Sequence, residues 1–362
     1  MKCLFVINDL ARAGAEKQAA LLACGLKSLG WSVSVVLIKE RNDFAEQLTA
    51  AAIPVSALHR RGPFDGRVVS RLREAIRESA PDVVVSFLFL ANLLTVLATR
   101  ALEPPPRIVL SVRASYRRTL SGIERLVARL AHRAADLTLF NSMDALREEQ
   151  AAFPRVSHSA YLPNAVASRR VTPVRWPEFG IAAGRVIVSV GQLARVKGPR
   201  ILNEAFAAVA EANPDTHLVL VGDGPDEGPL RALAARRGLA ARVSFLGHRQ
   251  DPLPFMAAGD VFVQPSLSEG MSNALMEAMA LGRCIVATRV GAAADLLEDG
   301  VQALLPLPTV PGLAKAINRT LADPGLRDRL GEAARKRAES FSADRITSQL
   351  DAILRGVVPP PP

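Results

Sequence analysis

The sequence is short of several things that would decide a function outright. Its three cysteines, Cys3, Cys24 and Cys284, lie far apart in apolar segments, so they build neither a disulfide framework nor a metal-binding spacing. Such usage suits a reducing cytosol. The histidines are scattered, and neither H-E-x-x-H nor D-x-D occurs, which leaves a divalent ion bridging a diphosphate without support. With two Trp and two Tyr, the stacking platforms of a single-strand nucleic-acid binder are poorly supplied. No G-x-G-x-x-G follows the first apolar run, which disfavours an NAD(P) enzyme. That run, KCLFVIN, is short and has no basic region before it, so it reads as a first strand rather than a signal peptide. The charge-free stretch Val83–Thr99 falls short of the about 20 residues a membrane span needs. It reads as a buried strand followed by a helix carrying Asn92 and Thr95, with a membrane-inserted segment as the alternative.

What is present is length, apolar residues and an uneven charge. The 362 residues, 49% hydrophobic, suffice for two cores at roughly 150 residues per domain. Residues 1–175 carry 25 Lys and Arg against 15 Asp and Glu, whereas residues 176–362 carry 20 against 20. The net charge of +10 therefore belongs to the first half and suggests a polyanionic partner there. Given the scarce aromatics, an anionic membrane surface suits better than nucleic acid.

Apolar, β-branched runs alternate with helical patterns along the whole chain. The expected strands of the first half are 2–8, 32–38, 54–57, 82–88, 107–113, 136–141 and 158–162. Those of the second half are 185–191, 217–221, 243–246, 260–264, 284–288 and 303–305. Continuous runs interleaved with helices mean parallel sheets covered on both faces. The organisation expected is an N-terminal Rossmann-like domain over 1–166 and a Pro-, Gly- and Arg-rich linker over 167–184. A second Rossmann-like domain over 185–342 follows, then a last helix and a disordered VVPPPP tail over 343–362.

Ligands of open α/β sheets bind beyond the carboxyl ends of strands, so the loops there come first. After DVFVQP the chain reads SLSEGMSNALMEAMALG, with Ser272 a fitting N-cap for a helix to about Leu281. Backbone N–H groups around Met271–Ala274 would favour an anion. Glu269 lies before that helix start and Glu277 in its second turn. A carboxylate, an anion site and a second carboxylate match a sugar nucleotide, in which hydroxyls, a diphosphate and a ribose diol follow one another. The competing reading makes both glutamates solvated charges. In SVGQLARVKGPRILNEAF, Arg195 and Lys197 stand between a strand and a helix starting near Pro199, well placed for a diphosphate or simply exposed on a βα loop. The turn Gly222-Asp223-Gly224-Pro225 reads as structural. Gly14, ahead of the first helix, permits a close backbone approach.

Taken together, GAEKQAALLA, SVGQLARVKG, LVLVGDGPDEGPLRAL, VSFLGHRQD, VFVQPSLSEGMSNALMEAMALG, CIVAT and LADPGLRDRLGEAAR resemble glycosyltransferase family 4. The resemblance is close over 183–345 and weaker over 1–165, where it rests on the Gly14 segment, FNSMDAL and YLPNAV. It implies a retaining, metal-independent enzyme of the GT-B fold, in which two Rossmann-like domains face each other across a cleft. It implies that Glu269 binds donor-sugar hydroxyls, Glu277 the ribose diol, and Lys197 the diphosphate. Gly270, Met271, Ser272 and Asn273 would complete the donor site, and Gly14 would lie against the diphosphate from the other domain. The loop carrying His248 and Arg249 would pass near the nucleobase. Two positions depart from the family. Gln192 stands where an arginine is usual, with Arg195 the candidate replacement, and Arg113 stands where many members have a histidine near the donor sugar.

The expected function is transfer of a hexose or N-acetylhexosamine from a nucleotide-diphosphate sugar, UDP first among them, to a lipid-linked glycan or polysaccharide. No cofactor is expected beyond that donor. The amphipathic LSGIERLVARLAHR, with Arg125, Arg129 and Arg133 beside Ile123, Leu126, Val127 and Leu130, suggests attachment at the cytoplasmic face of an anionic membrane, helped by Arg60, Arg61, Arg67, Arg71, Arg73 and Arg77. The alternatives are a UDP-sugar epimerase of the same fold, which needs an acid/base set not found here, and a non-catalytic two-lobed binding protein.

Overall fold

The computed structural model describes residues 1–11, 13–62, 65–113, 121–152, 158–167, 169–182 and 184–358. They form two compact units, Met1–Ala165 together with Ala343–Pro362, and Val166–Ser342.

The first unit holds strands β1 (Lys2–Ile7), β2 (Ser32–Leu37), β3 (Val55–Ala57), β4 (Val83–Phe87), β5 (Arg107–Val112), β6 (Leu137–Phe140) and β7 (Ser159–Tyr161). They lie in the order β3-β2-β1-β4-β5-β6-β7, every pairing parallel. Parallel strands need crossovers, and the helices supply them. Alternation along β1 sends Leu4 and Val6 into one core with Val36, Val84, Leu72, Ile76 and Leu94. The charge-free stretch is β4 plus the helix Phe89–Thr99, whose Asn92, Thr95 and Thr99 are buried. No described helix is long and apolar enough to cross a membrane.

The second unit holds β8 (Arg185–Val190), β9 (Thr216–Val221), β10 (Val243–Phe245), β11 (Val261–Gln264) and β12 (Cys284–Ala287), ordered β10-β9-β8-β11-β12 and again all parallel. One face packs Ile187, Leu218, Leu220, Val261 and Val263 against the helices Pro199–Ala212 and Val310–Ala322. On the other face Val186, Val188, Val219 and Val221 meet Trp176, Phe179, Ile181 and Phe255.

These two sheets are the expected α/β architecture, with three local differences. Residues 303–305 form no strand. Leu304 bridges Val286 alone, through bonds to Ile285 O and from Ala287 N of 3.0 Å each, because the turn at Val301–Gln302 and Pro306 close in on it. The stretch expected as a linker is part of a core, since Trp176 also donates from Nε1 to Ala258 O at 3.0 Å. The last helix, Ala343–Val357, packs on the first helix, Gly14–Ser28. A methyl on Gly25 would sit 2.3 Å from Thr347 Oγ1, and Trp31 donates from Nε1 to Asp351 Oδ1 at 2.6 Å. The tail Pro359–Pro362 lies outside the described residues.

Candidate functional site

In the second unit the strand order reverses between β8 and β11, the topological switch point where open sheets bind ligands. The loops leaving these two strands carry the expected donor residues. After β8 the chain passes Gln192 and closes a tight turn, Arg195–Lys197, before Pro199 opens the next helix. After β11 it runs through Pro265–Gly270 to Ser272, which caps the helix Asn273–Ala280 by accepting from Leu275 N at 3.3 Å.

The loops are fastened to one another. Leu267 N and Ser268 N donate to Val196 O at 2.9 and 3.3 Å. Lys197 Nζ then lies 2.6 Å from Glu269 Oε2, and Ser266 Oγ lies 3.3 Å from the same oxygen. Thr288 Oγ1 donates to Ser266 O at 2.5 Å, tying the loop to the end of β12. Two glycines set the spacing. Gly198 has φ +67° and packs so closely that a methyl would fall 2.0 Å from Pro265 O. Gly291 has φ +55°, and its methyl would fall 2.0 Å from Glu269 O. A side chain at either position would push the carboxylate loop away.

Lys197 and Glu269 are thus brought together, with side chains 35% and 13% exposed. Ser272 sits at the helix start, with Gly270 and Asn273 half-buried to either side of it and Met271 buried. The first amides of a helix have no intrahelical acceptor and carry its positive dipole end, so this edge of the sheet offers an ammonium, a helix start and a carboxylate side by side. Glu277 is half-buried one turn inside that helix. Arg195 and Gln192 are exposed on the facing loop. His248 is exposed after β10, and Arg249 turns its guanidinium onto Phe179 and Phe255, 5.7 and 5.4 Å from their ring centroids. Among the described residues no three His, Cys, Asp or Glu gather as metal ligands would.

The first unit has its own switch point, between β1 and β4. Gly14 is exposed at the start of the helix after β1. Arg113 follows β5 at the same edge. It donates from Nε to Ser111 Oγ at 2.8 Å and from Nη1 to Asn164 Oδ1 at 2.9 Å, with its guanidinium 5.2 Å from the Phe87 ring centroid. Burial pushes this guanidinium down to about 10.

Sequence reasoning overlooked Ser266, Thr288, Gly198 and Gly291. A glycine soon after a strand was the available signal, but the backbone each one faces is remote in sequence.

The basic helix Gly122–Ala134 is capped reciprocally by Ser121 and Glu124. It buries only Ala128, Ala131 and His132, leaving Ile123, Leu126 and Leu130 78%, 54% and 52% exposed beside the arginines. The other arginine cluster is largely engaged within the unit: Arg71 binds Asp65 and Leu58 O, Arg73 binds Ala98 O, and Arg77 binds Glu74.

Comparison with known proteins agrees with this fold. Residues 184–323 match the family described as glycosyl transferases group 1, and residues 13–165 the glycosyl transferase 4-like domain. The lipopolysaccharide core biosynthesis glycosyltransferase LpsE of Rhizobium meliloti is 36% identical over 164 residues, 45% of this chain and 47% of that one. The D-inositol 3-phosphate glycosyltransferase of Salinispora arenicola is 30% identical over 261 residues, 68% of this chain and 57% of that one. The matched stretches span about half the length of these curated relatives. Among solved structures, Anabaena HepE in complex with UDP and glucose superposes with a TM-score of 0.85 at 25% identity, covering 98% of this chain and 100% of that one.

Proposed function

Because the chain belongs to the family-4-type glycosyltransferases of the GT-B fold, we propose that it transfers a hexose or N-acetylhexosamine from a UDP-sugar to a hydroxyl of a lipid-linked glycan or polysaccharide, with retention at the anomeric carbon. The observation that carries this reading is Lys197 against Glu269 at the helix start of the switch point. Glu269 accepts from donor-sugar hydroxyls, and Glu277 from the ribose diol. Lys197, with Arg195 and the amides around Met271–Asn273, takes up the negative charge that grows on the diphosphate as the glycosidic C–O bond breaks. The acceptor oxygen bonds to the anomeric carbon from the face the diphosphate leaves, and its proton passes to a departing phosphate oxygen. Orientation and charge stabilisation are what this chain's residues supply, with no divalent ion in the reading.

The acceptor would be met at an anionic lipid surface. Burying the exposed face of Ile123, Leu126 and Leu130 among acyl chains would set Arg125, Arg129 and Arg133 at headgroup level, each basic residue contributing about 1 kcal/mol.

Incubation with a panel of nucleotide sugars tests the chemistry. Release of UDP with an α-configured sugar is the expected result, whereas an epimerised donor or binding without turnover would refute transfer. Liposome flotation tests the surface: co-flotation with anionic vesicles, lost in Ile123→Glu/Leu126→Glu, is expected, and binding indifferent to lipid charge would refute it.

A further inference from the structure

Arg113 is a cation taken largely out of water with no anion to answer it. Its partners are neutral: a serine hydroxyl, an asparagine carbonyl and a phenylalanine face. Among the described residues it forms no ion pair, and its buried Nη2 has no hydrogen-bond partner there. A buried charge in this condition costs stability unless something completes it, and neutral dipoles repay only part of that cost.

The surroundings are built to hold the guanidinium in place. Asn164 Oδ1 accepts from Arg113 and also from Asn141 Nδ2, at 2.9 and 3.1 Å. The next residue, Ala165, is gripped twice by the buried Gln18 amide, donating from N to Oε1 at 2.7 Å and accepting at O from Nε2 at 2.8 Å. Behind the guanidinium, Phe87 stacks on Phe5 with ring centroids 5.6 Å apart. Leu88 then turns at φ +73° and ψ 157°, a conformation that costs a side-chain-bearing residue energy, and donates to Ser111 O at 3.3 Å. All of this lies at the carboxyl edge of β4, β5 and β6, where a parallel sheet presents its ligand site.

Chemistry narrows the ligand. An arginine is a permanent cation with a planar fork of donors that matches phosphate or carboxylate oxygens. We propose that Arg113 is an anion receptor that binds a phosphoryl group carried by a substrate. This rests on the transferase reading. The phosphoryl group has two sources: the acceptor, which the basic first unit would hold, or the donor's diphosphate.

Calorimetry on wild type, Arg113→Gln and Arg113→Lys distinguishes them. Each protein is titrated with UDP, and then, with and without UDP, with glucose 6-phosphate and with glucose as the neutral control. The expected result is that wild type binds glucose 6-phosphate and not glucose, and that Arg113→Gln raises the Kd for the sugar phosphate at least about tenfold while UDP binding holds. A tenfold loss of UDP affinity in Arg113→Gln instead assigns the anion to the donor diphosphate. Should the glutamine variant unfold, Arg113→Lys decides, with a roughly three- to tenfold loss expected for an ammonium replacing the fork. Unchanged affinity for every probe in the variants, or sugar phosphate bound no better than glucose with UDP unaffected, overturns the proposal. Wild type that fails to bind UDP counts against the transferase reading, while the titrations without UDP still judge Arg113.

Discussion

Lys197 Nζ and Glu269 Oε2 lie 2.6 Å apart although the loops that carry them leave different strands. The pair is held by the backbone bonds from Leu267 and Ser268 to Val196 as much as by its own charges. A partly exposed ion pair of this kind contributes little to stability.

Lys197→Ala is expected to lower kcat for sugar transfer by about 10²–10³, the usual effect of deleting one group that stabilises a departing charge. Glu277→Ala is expected to act through donor KM, by about tenfold, as loss of a hydrogen bond to a charged group would. Steady-state kinetics with UDP-glucose checks both. Equal kcat in wild type and Lys197→Ala would remove the ammonium from the mechanism.

Gly291→Ala is expected to cost at least about 2 kcal/mol, through its left-handed φ and the 2.0 Å approach to Glu269 O. Thermal unfolding should show a fall of about 4–8 °C. Gly356→Ala, where a methyl meets open space, is the control and should change little.

Asp351 supplies a pH dependence. Burial pushes its carboxyl up, but hydrogen bonds from Arg355 and Trp31 outweigh that and leave it below its ordinary value. A lowered folded-state value means stability that is present above the unfolded value of about 3.9 and is lost as pH falls through the folded one. Unfolding followed by tryptophan fluorescence, with Trp31 as the reporter, should lose midpoint temperature below about pH 4 in wild type. The loss should be shallower in Asp351→Asn.

The thiols should react unequally. Cys3 and Cys284 are buried, which pushes Cys284 up to about 12 and Cys3 higher still, whereas Cys24 is half-buried. Because the thiolate is the reactive form, a disulfide reagent should modify at most Cys24 in the native protein and all three cysteines after denaturation.

Much of this fold could be read from the chain because its strands are buried on both faces. Runs such as Val83–Phe87 and Val261–Gln264 need no partner to be recognised, and Ser272 marks its helix start locally. Residues 303–305 mislead for the same reason: an apolar triplet looks like a strand even where Ala303 and Leu304 each make only an isolated bridge, to Asp299 and Val286. The candidate site was legible as a set of loops but not as an arrangement. The tightness of Gly198 and Gly291 depends on carbonyls supplied from elsewhere in the chain, and local periodicity carries no record of them. Arg73 and Arg77 likewise looked like free surface charge until their partners Ala98 O and Glu74 were in view.

The return of Ala343–Val357 to the helix Gly14–Ser28 has a consequence for biosynthesis. The half that leaves the ribosome first cannot be finished first. Its opening helix must wait, one apolar flank uncovered, while the whole of Val166–Ser342 is translated. A pause or break in synthesis after Val166–Ser342 would therefore damage a unit whose strands were made before it.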